Sequence, residues 1–153
     1  MKTFISTLAL AICTTNINAQ SLQHAYRDFL RVGVSVNQWQ VKAEKKVKEG
    51  ISYSGAYKTD QTADYPLIAQ HFGWVVPENC MKCEVIHPKE GVYDFTLADQ
   101  LVDKALANGQ KVIGHCLIWH SQCAPWFFTD DNGNQVSADV LRKRIKDHIY
   151  TIV

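Results

Sequence analysis

Apolar positions along the chain fall into three strand-like and three helix-like groups, in alternation. RVGVSVNQW (31 to 39) places Val32, Val34 and Val36 at every second position, the period of a strand. A polar, lysine- and glutamate-rich stretch (42 to 50) follows, then ISYSGAY, and both are expected to be loop. ADYPLIAQHFG (63 to 73) has a short helical pattern with Gly73 as its stop. WVVPENCMK (74 to 82) begins as a strand and breaks at Pro77, leaving Glu78 to Lys82 at its C-terminal end. GVYDF (91 to 95) is a turn leading to a helix.

That helix is TLADQLVDKALANG (96 to 109). Leu97, Leu101 and Ala105 form one row, with Ala98, Val102 and Leu106 beside it. Thr96 is the candidate N-cap, Asp99 sits in the capping-box region, and Asn108-Gly109 ends the helix. KVIGHCLIW (111 to 119) is nearly unbroken in its apolar character, as expected of a parallel strand covered on both faces. In the last helix, SADVLRKRIKDHIYTIV, Ser137 is the cap and Leu141, Ile145, Ile149 and Ile152 face the core. The alternation of strand and helix predicts a parallel α/β architecture, doubly wound or a barrel.

The chemistry gathers in GHCLIWHSQ (114 to 122). Strand alternation puts His115, Leu117 and Trp119 on one face and Cys116, Ile118 and His120 on the other, so the two histidines should not share a metal. A hydrogen-bonded core histidine beside a core tryptophan is the plain alternative. The end of the second strand adds Glu78, Asn79 and Lys82 to His115 and Trp119. A carboxylate, an amide, an ammonium, an imidazole and a flat indole together suit a sugar, whose hydroxyls need donors and acceptors while its ring face stacks on an aromatic. G-x-G-x-x-G, G-x-x-x-x-G-K-[ST] and G-x-S-x-G are absent, so neither nucleotide binding nor a serine nucleophile has support, and no cofactor is implied.

Composition narrows the field further. The chain has 153 residues and a formal charge of +1, without the basic footprint of a nucleic-acid binder. Residues 1 to 20, MKTFISTLALAICTTNINAQ, read as a signal peptide: Lys2, an apolar run, and Ile17-Asn18-Ala19 before Gln20 as the cleavage region. The run is about ten residues, short of the roughly 20 a membrane span needs. A lipoprotein reading through Leu10-Ala11-Ile12-Cys13 is weakened by the bulky Ile12. Residues 21 to 153 then form one domain, exported. Four cysteines remain, Cys80, Cys83, Cys116 and Cys123; Cys80-Met81-Lys82-Cys83 has zinc or redox spacing, whereas Cys116 in its apolar run reads as a small buried hydrophobe.

PENCMKCEVIHPKEGVYDF followed by GHCLIWHSQCAPWF resembles glycoside hydrolase family ten, the endo-1,4-β-xylanases. The matching elements are Glu78-Asn79-Cys80-Met81-Lys82, the turn from His87 to Phe95, Asn108-Gly109, and Gly114 to Gln122. Cys83 stands where relatives often have Trp, and His87 replaces the usual Glu before Pro88. The resemblance implies a TIM (β/α)8 barrel of which residues 21 to 153 supply the first three βα units, and retaining hydrolysis of xylan or xylooligosaccharide. It makes Glu78, Asn79, Lys82, His115, Trp119 and Gln122 substrate-binding residues of the non-reducing side, and His120 mainly structural. The family's acid/base glutamate follows the fourth strand in W-D-x-x-N-E, and its nucleophile ends the seventh. Neither motif is in this sequence, so no catalytic residue is expected in it. Residues 21 to 153 alone are expected neither to fold stably nor to cleave xylan. Some relatives also carry a carbohydrate-binding module near this part of the barrel. Two further readings stand beside this one: a non-catalytic sugar-binding remnant, and a thiol or zinc protein built on Cys80 and Cys83.

Overall fold

The computed structural model describes residues 21–42, the backbone of 47–52 and 55–60, and residues 64–153. Residues 1–20, where a signal peptide is expected, lie outside the described residues. After a short helix α1 (Leu22–Ala25), strand β1 (Gly33–Val36) leads through α2 (Gln38–Lys42), the strand pair β2 (Val47–Ser52) and β3 (Gly55–Asp60), and α3 (Asp64–His71) to β4 (Trp74–Pro77). From there α4 (Cys83–Ile86) and α5 (Thr96–Ala107) precede β5 (Lys111–Val112), and a 3-10 turn at Pro125–Phe127 precedes α6 (Ala138–Ile152). The sheet order is β1-β4-β5, all parallel, with Gly33 opposite Trp74 opposite Lys111 and Val34 opposite Val75 opposite Val112. Three strand–helix units with sequential neighbours paired make the opening part of a parallel barrel wall.

The register explains the core. Val34, Val36, Val75, Pro77 and Val112 lie on the face turned toward the helices, where Val36 and Val75 are fully buried against Leu101, Ala105, Tyr65 and Ile68. The heptad-like row expected on α5 is the packed one, and Leu101 at 0% exposure is its centre, a burial that stabilises by roughly 1.5–3 kcal/mol. Gly33 is needed where β1 meets β4, because a Cβ there would stand 3.1 Å from Trp74 Cβ and from its carbonyl oxygen. Gln110, buried just before β5, receives the Tyr65 hydroxyl at 3.1 Å and donates to the Phe72 carbonyl at 2.8 Å, so a buried amide ties α3 to the strand entrance.

Five expectations need correction. Segments expected to be loop contain the antiparallel pair β2–β3, Val47 opposite Asp60 through Ser52 opposite Gly55. The ribbon pairs the inward-facing backbone groups of its two strands, and its apolar positions are too sparse to show alternation. The third strand is two residues long rather than nine, and its second face is open: Ile113 is 50% exposed. Thr96 is not the cap; Phe95 occupies that position without a side-chain bond, and Asp94 accepts the Thr96 N–H at 2.9 Å instead. On α6, Ser137 does cap, accepting from Val140 N, but the fully buried residue is His148, while Leu141, Ile145, Ile149 and Ile152 are only half-buried. Cys116 is half-buried, not a core residue.

Candidate functional site

The C-terminal ends of β4 and β5 and the loop after β5 meet along one edge of the sheet. Glu78 N–H donates to the Val36 carbonyl at 2.8 Å, extending the β1–β4 ladder one residue past Pro77 and leaving an exposed side chain at the rim. The next turn carries Asn79 and Lys82, and Lys82 Nζ donates to Asn79 Oδ1 at 2.8 Å. From 40 residues away in sequence, Gln122 completes the group: its Oε1 accepts from Lys82 Nζ and its Nε2 donates to Asn79 Oδ1 at 3.2 Å. The Gln122 carbonyl also receives Glu84 N–H at 3.0 Å, which fixes the loop against the start of α4. Gln122 holds φ at +55°, a left-handed conformation uncommon for a residue with a Cβ.

Within this triad Lys82 spends two of its three hydrogens and the Asn79 amide nitrogen spends neither of its own. The remaining donors are available to hydroxyl groups, and Glu78 supplies acceptors at the same rim. Beside them Trp119, 41% exposed, presents its indole edge-on to His115, ring centroids 5.6 Å apart. His120 is tilted against the same indole, ring centroids 4.6 Å apart. His115 and Trp119 therefore do meet, but not through strand alternation, since residues 113–119 are not strand. For the same reason Trp119 and His120 are neighbours instead of facing apart, and the His120 side chain is exposed.

Cys80 and Cys83 are poorly placed to act as a metal or redox pair. Cys80 belongs to the cluster beneath the sheet and Cys83 to a second one with Ala124 and Phe127, so the two sulfurs of the Cys-x-x-Cys stretch are packed in different places. Burial and the neighbouring Cys123 push the Cys83 thiol up to about 12, and its Sγ donates to the Leu117 carbonyl at 3.1 Å. Burial also raises the Cys116 thiol, against the opposing charge of Lys82. Among the described residues no group of three histidine, cysteine or acidic side chains could hold a metal ion.

Sequence reasoning gave no site role to two buried residues that lie behind this edge. His87 and His148 are both buried, with their Nδ1 atoms 3.0 Å apart, and His148 Nε2 lies 3.0 Å from the Leu117 carbonyl. The available signal was His148 itself, a polar residue on the apolar face of α6.

A parallel β/α wall with a half-buried polar triad and a projecting indole at its C-terminal edge is the arrangement of a β/α-barrel protein with its site at the strand ends. Residues 22–153 match the family "Glycosyl hydrolase family 10". The chain belongs to that family. It is 38% identical over 132 residues to an endo-1,4-beta-xylanase/feruloyl esterase of Xylanibacter ruminicola, covering 86% of this chain and 16% of that protein. A beta-1,4-xylanase of Dictyoglomus thermophilum is 36% identical over 133 residues, 87% of this chain and 30% of its own. Among solved structures, a psychrophilic family 10 endo-beta-1,4-xylanase superposes with a TM-score of 0.72 at 32% identity, covering 88% of this chain and 36% of that one. Xylanase XynB from Paenibacillus barcinonensis, complexed with a conduramine derivative, gives 0.71 at 32% identity, with 89% and 35% covered. The chain thus spans less than a third of these two curated relatives and just over a third of these two structures.

Proposed function

We propose that this chain supplies the non-reducing side of the cleft of a retaining endo-1,4-β-xylanase. Its substrate is xylan or a xylooligosaccharide. The observation that carries the reading is the Asn79–Lys82–Gln122 triad beside the exposed Trp119, both at the C-terminal edge of a parallel sheet. Glu78, Asn79 and Lys82 hold xylose hydroxyls; Trp119, flanked by His115, offers a face to the sugar ring; Gln122 orients the lysine and the amide. None of these is a catalytic residue. Retaining hydrolysis takes two carboxylates about 5–5.5 Å apart, and on this reading barrel units beyond the third provide them. The protein is exported through residues 1–20, and a carbohydrate-binding module elsewhere in the full-length protein would be in keeping with this substrate.

The test uses the full-length gene product. Xylohexaose should quench tryptophan fluorescence and be hydrolysed at internal bonds with retained anomeric configuration. Trp119→Ala should weaken binding at least tenfold. Binding without turnover would establish instead the sugar-binding remnant, and unchanged binding in Trp119→Ala would remove this cleft from the account.

A further inference from the structure

The loop bearing His115 and Trp119 has little backbone ladder of its own. Ile113 N–H still bonds to the Val75 carbonyl at 2.9 Å, and regular pairing ends there. What holds the next residues is side-chain donors on two carbonyls: the Leu117 oxygen receives Cys83 Sγ at 3.1 Å from α4 and His148 Nε2 at 3.0 Å from α6, and the Trp119 oxygen receives Cys123 Sγ at 3.1 Å. Trp119 is two residues beyond Leu117.

The tautomers of the two histidines follow from their neighbours. Gly91 N–H donates to His87 Nε2 at 3.2 Å, so that nitrogen is the acceptor and His87 carries its proton on Nδ1. This proton points to His148 Nδ1 at 3.0 Å, which must accept, leaving the His148 proton on Nε2, where it faces the Leu117 carbonyl. Each link has one donor and one acceptor when both rings are neutral. The His87 ring cannot turn freely, being stacked on Tyr93 at 3.9 Å and packed against Trp126 at 4.5 Å.

We infer that His87 and His148 are positioning residues for the sugar platform: a hydrogen-bond relay running from Gly91 N–H through both imidazoles to the Leu117 carbonyl, which sets where Trp119 stands. The inference rests on the reading of Trp119 as a sugar platform. A proton on either ring puts two donors nose to nose, at Gly91 N–H or between the Nδ1 atoms, so acid should loosen the loop. The titratable and charged groups around the pair are Glu90 in the turn, Arg144 and Asp147 on α6, Tyr93, and Cys83 on α4. Burial and the two rings' mutual repulsion hold His87 below its ordinary value, against the pull of Glu90; burial lowers His148.

Two amide substitutions separate the roles in the full-length product. His148→Gln keeps a donor at the Nε2 position and should bind xylohexaose within twofold of the parent. His148→Asn keeps only the nearer position and should bind about fivefold more weakly, the scale of one net hydrogen bond. The parent should lose xylohexaose affinity only as pH falls through the pair's lowered values, on the acid side of the ordinary histidine range, and the double variant His87→Asn/His148→Gln should lack that limb. Nitrogen-15 spectra of the parent, which need no variant to fold, should show His87 protonated on Nδ1 and His148 on Nε2 at neutral pH. The opposite tautomers, or equal binding by His148→Gln and His148→Asn, overturn the relay. If the product binds no xylooligosaccharide at all while the tautomers are as stated, it is the cleft reading that has failed, and the positioning role falls with it.

Discussion

Gln122 joins two costs that can be separated. Its side chain bridges Lys82 and Asn79, and its backbone sits at φ +55°. Gln122→Ala removes the bridge and keeps the strained conformation. Gln122→Gly removes the bridge and the strain together. A left-handed residue with a Cβ costs roughly 1–2 kcal/mol, and glycine gives back about 0.5–1 kcal/mol through its freer unfolded chain. Gln122→Gly should therefore be more stable than Gln122→Ala by about 0.5–1 kcal/mol. Losing an acceptor to the half-buried ammonium forfeits one charge-assisted bond, about 1.5–3 kcal/mol before solvent makes up part of it. Net destabilisation of Gln122→Ala should then be about 1 kcal/mol. Urea melts of the full-length product measure both differences. Both variants should lose xylohexaose affinity to the same extent, since Lys82 and Asn79 are freed to move in each. A double-mutant cycle of Gln122→Ala with Asn79→Ala should show a coupling above 0.5 kcal/mol, the lower end for groups in one hydrogen-bond network. Additive effects, or a Gln122→Gly variant that binds sugar like the parent, would refute the view that this side chain organises the triad.

The buried histidine pair predicts acid sensitivity with a definite sign. Both native values are lowered, so between those values and about 6.5 the unfolded chain binds more protons than the native one; the stabilisation is complete above about 6.5 and drains away as pH falls. Melting temperatures across pH 5 to 8 should show this, and the His87→Asn/His148→Gln variant should have a flatter profile. For Cys80 and Cys83, packing in separate clusters should leave zinc without a site shared by the pair: added Zn2+ should not raise the melting temperature, and a rise saturating at one equivalent would restore the thiol or zinc reading.

Legibility in the sequence followed the kind of force involved. The alternation in Val34 and Val36 and the row Leu97, Leu101 and Ala105 report burial directly, and there the elements lie where periodicity puts them. Asn79 and Lys82, three residues apart after a strand stop, are likewise a local arrangement. Gln122 was legible by motif alone, since no spacing rule brings it 40 residues back to Lys82. The loop from 113 to 120 misled because an apolar run was taken for a two-sided strand, whereas its Leu117 and Trp119 carbonyls are held by side-chain donors. His148 shows the same limit. A polar residue on an apolar helix face is ambiguous until its partners arrive from the 87–91 turn and the Leu117 loop, both distant in sequence.

The two faces of the sheet differ, and the difference bears on how the site is built. Val36 and Val75 are closed off by helices, while Gly33, Ser35, Trp74, Val76 and Ile113 line the opposite face, with Ile113 half exposed. In a barrel that second face is the lumen, filled by layers of side chains from alternate strands. The polar triad does not need those layers. Lys82, Asn79 and Gln122 are braced by one another, by Glu84 N–H on the Gln122 carbonyl, and by the register of β1 with β4. The indole is braced from the helix side, through Cys83 and His148 on the Leu117 carbonyl. Both recognition elements therefore take their positions from contacts within the first three βα units. That division is what the proposed cleft requires, with these units holding the sugar and others doing the chemistry, because the geometry of the triad and the indole is set by contacts within the described residues.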